Sequence, residues 1–113
     1  MNKLLDFQLS IIDSRMTNMR QVEIYLAELL DDIEILELMN LNSSDYYNSR
    51  YIFYSIQDYY VDLQKEFYSE GFNPDFDIIY LDCVRLYHEC LYMINKIKLH
   101  NKPHEEIHCH KKA

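Results

Sequence analysis

The sequence predicts an all-α protein, and three observations carry that prediction. One Gly and two Pro in 113 residues leave few points where a chain could turn as strands require. Apolar residues recur at alternating three- and four-residue spacing, the period of one helix face turned to a partner. The turn signals every ~8–12 residues that an all-β chain needs are missing. With 49% hydrophobic residues the chain can bury a sizeable core, and its length suits a single domain, 1–113. The expected architecture is an up-and-down bundle of about four helices, over about 3–14, 19–39, 45–70 and 74–101, with a short His-rich C-terminal segment.

The first two helices follow from two stripes. Leu5, Leu9, Ile12, Met16 and Met19 form one; Val22, Leu26, Leu29, Ile33 and Leu36 form the other. Between them DSRMTN is rich in residues that compete with a helix for backbone hydrogen bonds. Asn18, with Gln21 three residues on, has the spacing of a capping box, so a new helix is expected to open there.

LNSSD at 41–45 is the next break, with Ser43 or Ser44 as N-cap and Asp45 suited to the positive end of the dipole. The third helix follows. Seven of the 23 residues from Tyr46 to Tyr68 are tyrosine. Its core stripe is Tyr46, Phe53, Ile56, Tyr60, Leu63 and Phe67. Gly71, the only glycine, stands where a left-handed residue ends a helix. Asn73 and Pro74 then open the fourth helix as N-cap and first helical residue. Phe76, Ile79, Cys83, Leu86, Cys90, Met93 or Ile94, and Ile97 form its buried stripe. Pro103 stops it or restarts a short helical turn over 104–110.

Charge placement narrows the function. The net charge is −8, and residues 1–72 carry 13 acids against 5 bases, while 73–113 carry 6 of each. Direct binding of nucleic acid over that surface is disfavoured, because affinity there comes from Lys and Arg neutralising phosphates. A basic protein partner is favoured by complementary fields. No apolar run is long enough to span a membrane, and Asp6, Gln8 and Asp13 interrupt the opening segment, so no secretory signal is expected. Three cysteines make no disulfide framework, which fits reduced thiols in a cytoplasmic protein.

Two constellations point to partner binding. Residues 21–40 hold Glu23, Glu28, Asp31, Asp32, Glu34 and Glu37 and no Lys or Arg, so like charges repel at i,i+3 and i,i+4. Either this is a docking face for a cationic partner, or it is a solvated face neutralised by Arg15, Arg20 and Arg50. The tyrosines left over from the core stripe, Tyr47, Tyr51, Tyr54 and Tyr59, serve either a centrally packed helix or an interface, where Tyr is enriched.

The tail reads HNKPHEEIHCHKKA. His104, Glu105 and His108 match H-E-x-x-H, in which two His one turn apart hold zinc and the Glu polarises its water. That motif belongs on a long helix under a sheet, and neither is expected here. The candidate metal ligands are His104, His108, Cys109 and His110. The simpler reading needs no metal or other cofactor, only His and Lys near the negative end of a helix dipole. Cys83 and Cys90 read as buried thiols acting as small hydrophobes.

The function expected is therefore that of a small acidic helical protein-binding module without catalytic apparatus. It is expected to act as a stoichiometric inhibitor, of the immunity or antitoxin kind, against a basic partner such as a nuclease toxin. The alternatives are a structural or assembly subunit that forms a homodimer through its tyrosine-rich helix and, more remotely, a zinc-dependent hydrolase built on HEEIH.

Overall fold

The computed structural model describes residues 2–39, 43–69 and 71–101. Within them the chain is all-helical, with α1 Lys3–Leu38, α2 Ser44–Tyr68 and α3 Asp75–His100. The expected bundle of about four helices is corrected on one point, since the segments 3–14 and 19–39 are a single helix. The expected segment over 104–110 lies outside the described residues. No described helix is long and apolar enough to cross a membrane.

The helix stays continuous through DSRMTN, where Thr17 bonds within the helix and Arg15 docks it on the rest of the bundle. Thr17 Oγ1 donates to the Asp13 carbonyl at 3.0 Å, a bond that a helix accommodates. Arg15 lies on the inward stripe in phase with Val22, Leu29 and Leu36, and is only 7% exposed. Its Nη2 donates to the Asn73 carbonyl at 2.9 Å, and its guanidinium sits 4.7 Å from the Phe76 ring centroid and 5.6 Å from that of Phe72. A polar residue thus occupies a core position and docks α1 on the turn between α2 and α3. The N-cap of α1 is Asn2, whose Oδ1 accepts from Leu5 N, rather than Asn18.

The other helix ends match the local chemistry. Ser43 caps α2, its Oγ accepting from Tyr46 N at 3.2 Å. Gly71 takes a φ of 80°, the left-handed conformation that reverses the chain after α2. Asn73 Oδ1 accepts from Asp75 N at 3.0 Å, and Phe76 N bonds the Asn73 carbonyl, so Asn73 acts as the cap ahead of Pro74.

Contacts between the helices fix their direction. Glu37 meets Arg50 and Glu23 meets Tyr60, so α1 and α2 run antiparallel. Phe67 meets Phe76, Ser49 meets Cys90 and Asp45 meets Lys96, so α2 and α3 are also antiparallel. Arg15 meets Asp77, Glu28 meets Tyr87 and Asp32 meets Lys98, so α1 lies parallel to α3. The core is where the three inward stripes meet: Val22, Leu29, Ile33 and Leu36; Phe53, Ile56 and Leu63; Phe76, Cys90 and Ile94. Each such aliphatic or aromatic side chain stabilises the fold by roughly 1.5–3 kcal/mol. Tyr87 joins them, stacked on Tyr25 with centroids 3.8 Å apart.

The same registers show where packing stops. The end of α2 and the start of α3 lie level with Arg15, and the turn between them still borders Gln8, Ile11 and Ile12, so only the first residues of α1 run past the hairpin. Of the first expected stripe, Leu5, Leu9 and Met16 are exposed, which corrects their assignment to the core.

Candidate functional site

The six acids of α1 between residues 21 and 40 divide between its two flanks and its crown. Glu28 and Asp32 lie on the α3 side, where Tyr87 Oη donates to Glu28 Oε2 at 2.8 Å and Lys98 Nζ to Asp32 Oδ1 at 2.7 Å. Glu23 and Glu37 lie on the α2 side. Tyr60 Oη donates to Glu23 Oε1 at 2.7 Å, and Arg50 Nε stands 3.9 Å from Glu37 Oε1. That Nε is shielded from solvent yet makes no hydrogen bond, so Coulomb attraction alone joins it to Glu37. Asp31 and Glu34 are exposed, with no hydrogen bond or ion pair among the described residues.

Of the bases expected to neutralise a solvated face, Arg50 reaches Glu37, and Lys98 of α3 pairs with Asp32. A tyrosine hydroxyl steadies a carboxylate but leaves its charge in place. Glu23, Glu28, Asp31 and Glu34 form no ion pair among the described residues. The hydroxyls feel the carboxylates in return. Tyr60 is pushed up to about 12, by burial first and by its bond to Glu23 second. Tyr87 is also pushed up to about 12, by burial and then by Glu28.

The tyrosines of α2 sort by helix phase. Tyr47, Tyr51 and Tyr54 are exposed, whereas Tyr59 is half-buried and packs against the core. Tyr47, Tyr54, Val61 and Tyr68 recur at seven-residue spacing, and all four are exposed, forming one outward ridge. Tyr51 stands one turn from Tyr47 and Tyr54, on the edge of that ridge away from α1. Val61 and Tyr68 were outside the expected site, though their heptad spacing with Tyr47 and Tyr54 is present in the sequence.

Arg50 brings the two constellations together. While held near Glu37, its Nη2 donates to Tyr54 Oη at 3.3 Å, and its guanidinium lies over the Tyr46 and Tyr54 rings. Glu34 lies one turn before Glu37, on the same side of α1. The α1–α2 seam is therefore flanked by Glu23, Leu30, Glu34 and Glu37 on one helix and by Tyr54, Val61 and Tyr68 on the other. Leu30 is itself exposed. An apolar and aromatic centre edged by carboxylates is the composition of a protein interface.

Other candidates fall elsewhere. His104, His108, Cys109 and His110 lie outside the described residues. Among the described residues no three His, Cys, Asp or Glu side chains come close enough to hold a metal ion. Cys83 and Cys90 are buried, and burial pushes both thiols up to about 12; Cys90 Sγ donates to the Ser49 carbonyl at 3.3 Å. They behave as core side chains rather than nucleophiles, which need a depressed pKa. Comparison with protein-family models, curated proteins and solved structures finds no match to this chain.

Proposed function

We propose that the chain is a protein-binding module that covers a basic surface of another protein with the outer face of its α1–α2 seam. The observation carrying this reading is the juxtaposition of cation-free carboxylates with exposed tyrosines across one seam. Carboxylates without internal cations cost helix stability through mutual repulsion. A Lys- or Arg-rich surface would relieve that repulsion on binding. Tyr47, Tyr54 and Tyr68 supply contact area at low entropic cost, since each ring has only two torsions to fix. A basic nuclease presents such a surface where it holds phosphates, so a stoichiometric inhibitor of the immunity or antitoxin kind is the form of module this face fits best.

The test is capture from the host with the full chain, beside a variant carrying Glu23→Gln, Asp31→Asn and Glu34→Gln. The expected outcome is a basic protein retained by the native chain and bound about 10–100-fold more weakly by the variant, with most of the difference in the association rate. Equal binding by the two chains, with the variant's thermal unfolding unchanged, would remove the acidic face from the reading.

A further inference from the structure

The first residues of α1, 3–7, are all exposed among the described residues. Gln8 still borders a cleft beside Gly71 and Phe72, and ahead of it residues 3–7 project beyond the α2–α3 turn by about 7 Å at the helical rise. Leu4 and Phe7 are each 63% exposed, and Leu5 and Leu9 are exposed beside them. Leu4 and Phe7 continue the inward stripe of α1, in phase with Val22 and Leu29, past Ile11, which still borders Pro74 and Asp77. Leu5, Ile12 and Met16 widen the apolar arc to more than half of the circumference. The polar residues Lys3, Asp6, Ser10, Asp13 and Ser14 fall on the remaining side, while Gln8 interrupts the apolar arc.

We infer that this projection is the dimerisation surface of the protein, covered by the same projection of a second copy in an antiparallel, two-fold arrangement. Three observations select a second copy. Residues 3–14 carry one Lys and two Asp, so the segment is nearly neutral in a chain of charge −8. It offers a cationic partner little attraction and does not oppose its own copy. The exposed apolar area of Leu4, Leu5, Phe7, Leu9 and Met16 is roughly 500 Å² per chain, so a pair would bury about 1,000 Å², the size of weak specific interfaces. Shape is the third. Beside the base of the projection lies a cleft of about 500 Å³, lined by Gln8, Ile12, Phe67, Gly71 and Phe72. An antiparallel pair sets the tip of each projection, with Leu4 and Leu5, at the base of the other. Knob and cleft then match themselves, as an isologous contact requires. The surface is separate from the α1–α2 seam, so dimerisation and partner capture succeed or fail independently.

The test is sedimentation velocity on the full chain. An interface of this size belongs with the weak ones, so the runs would span concentrations from about 1 to 100 µM. A monomer–dimer equilibrium is expected, and Leu4→Glu with Phe7→Glu is expected to leave only monomer. Both side chains are exposed in a single copy, so the variant should keep the helical circular dichroism of the native chain. Tyr51→Glu, on the outer side of α2, is expected to leave the dimer intact. A native chain that is monomeric throughout overturns the inference. So does a dimer that survives the paired α1 substitutions, or one that Tyr51→Glu dissolves.

Discussion

Arg15 shows how one side chain can hold a fold without being apolar. Its charge is taken from water, and the compensation is a hydrogen bond to the Asn73 carbonyl, the two rings of Phe72 and Phe76, and Asp77 Oδ2 at 3.8 Å. Asp77 is itself largely exposed, so that ion pair contributes least. Arg15→Ala removes a charged donor and its ring contacts, leaving Phe76 N as the remaining partner of the Asn73 carbonyl, and it is expected to lower unfolding free energy by about 2–4 kcal/mol in urea titrations. A loss below about 0.5 kcal/mol would mean that the turn holds itself. Tyr60 and Tyr87 make a second prediction at this scale. Their folded pKa values lie above the ordinary 10.0, at about 12, so the folded state holds their protons more tightly. That stabilisation is complete below pH 10 and is lost as pH rises through 12. Cys83 and Cys90 act with the same sign from 9.0 upward. Chemical denaturation across pH 9–12 should show stability falling. Tyr60→Phe with Tyr87→Phe should flatten the decline.

At the scale of the element, α2 and α3 were legible almost to the residue, while α1 was not. Both α2 and α3 are bounded by residues whose chemistry is local: Ser43 as a cap, Gly71 in the left-handed region, Asn73 ahead of Pro74. The split of α1 was expected because periodicity counts only apolar residues, and Arg15 and Asn18 fall on the inward face. What makes Arg15 a core residue is a carbonyl 58 positions away, which no local window contains. The same reason explains why Leu5 and Leu9 looked like core. Their spacing is that of a buried stripe, but the hairpin that would cover them ends too soon. Gly71 gives this scale its prediction. A Cβ placed there would meet nothing within 4 Å, so the cost of Gly71→Ala is the backbone conformation alone. That cost is expected to be about 1 kcal/mol, and less for Gly71→Asn, whose side chain tolerates the left-handed region. Equal stability for all three chains would mean that the turn relaxes to another conformation.

For the whole molecule, the bundle separates two surfaces along α1. Its N-terminal projection is apolar and nearly neutral, whereas its second half is acidic and shares a seam with the tyrosine ridge of α2. The candidate face was only partly legible in sequence. The acids and most of the tyrosines could be named from composition. Which acids keep an uncompensated charge depended on Arg50 and Lys98 arriving from other helices, and Tyr59 turned inward because its phase meets the core. The central claim is that a partner covers the α1–α2 seam, and backbone hydrogen exchange on the purified complex tests it most directly. Slowed exchange is predicted across 23–37 of α1 and 47–68 of α2, with residues 78–99 of α3 exchanging as in the unbound protein. Protection confined to α3 or to residues 3–14 would contradict the account.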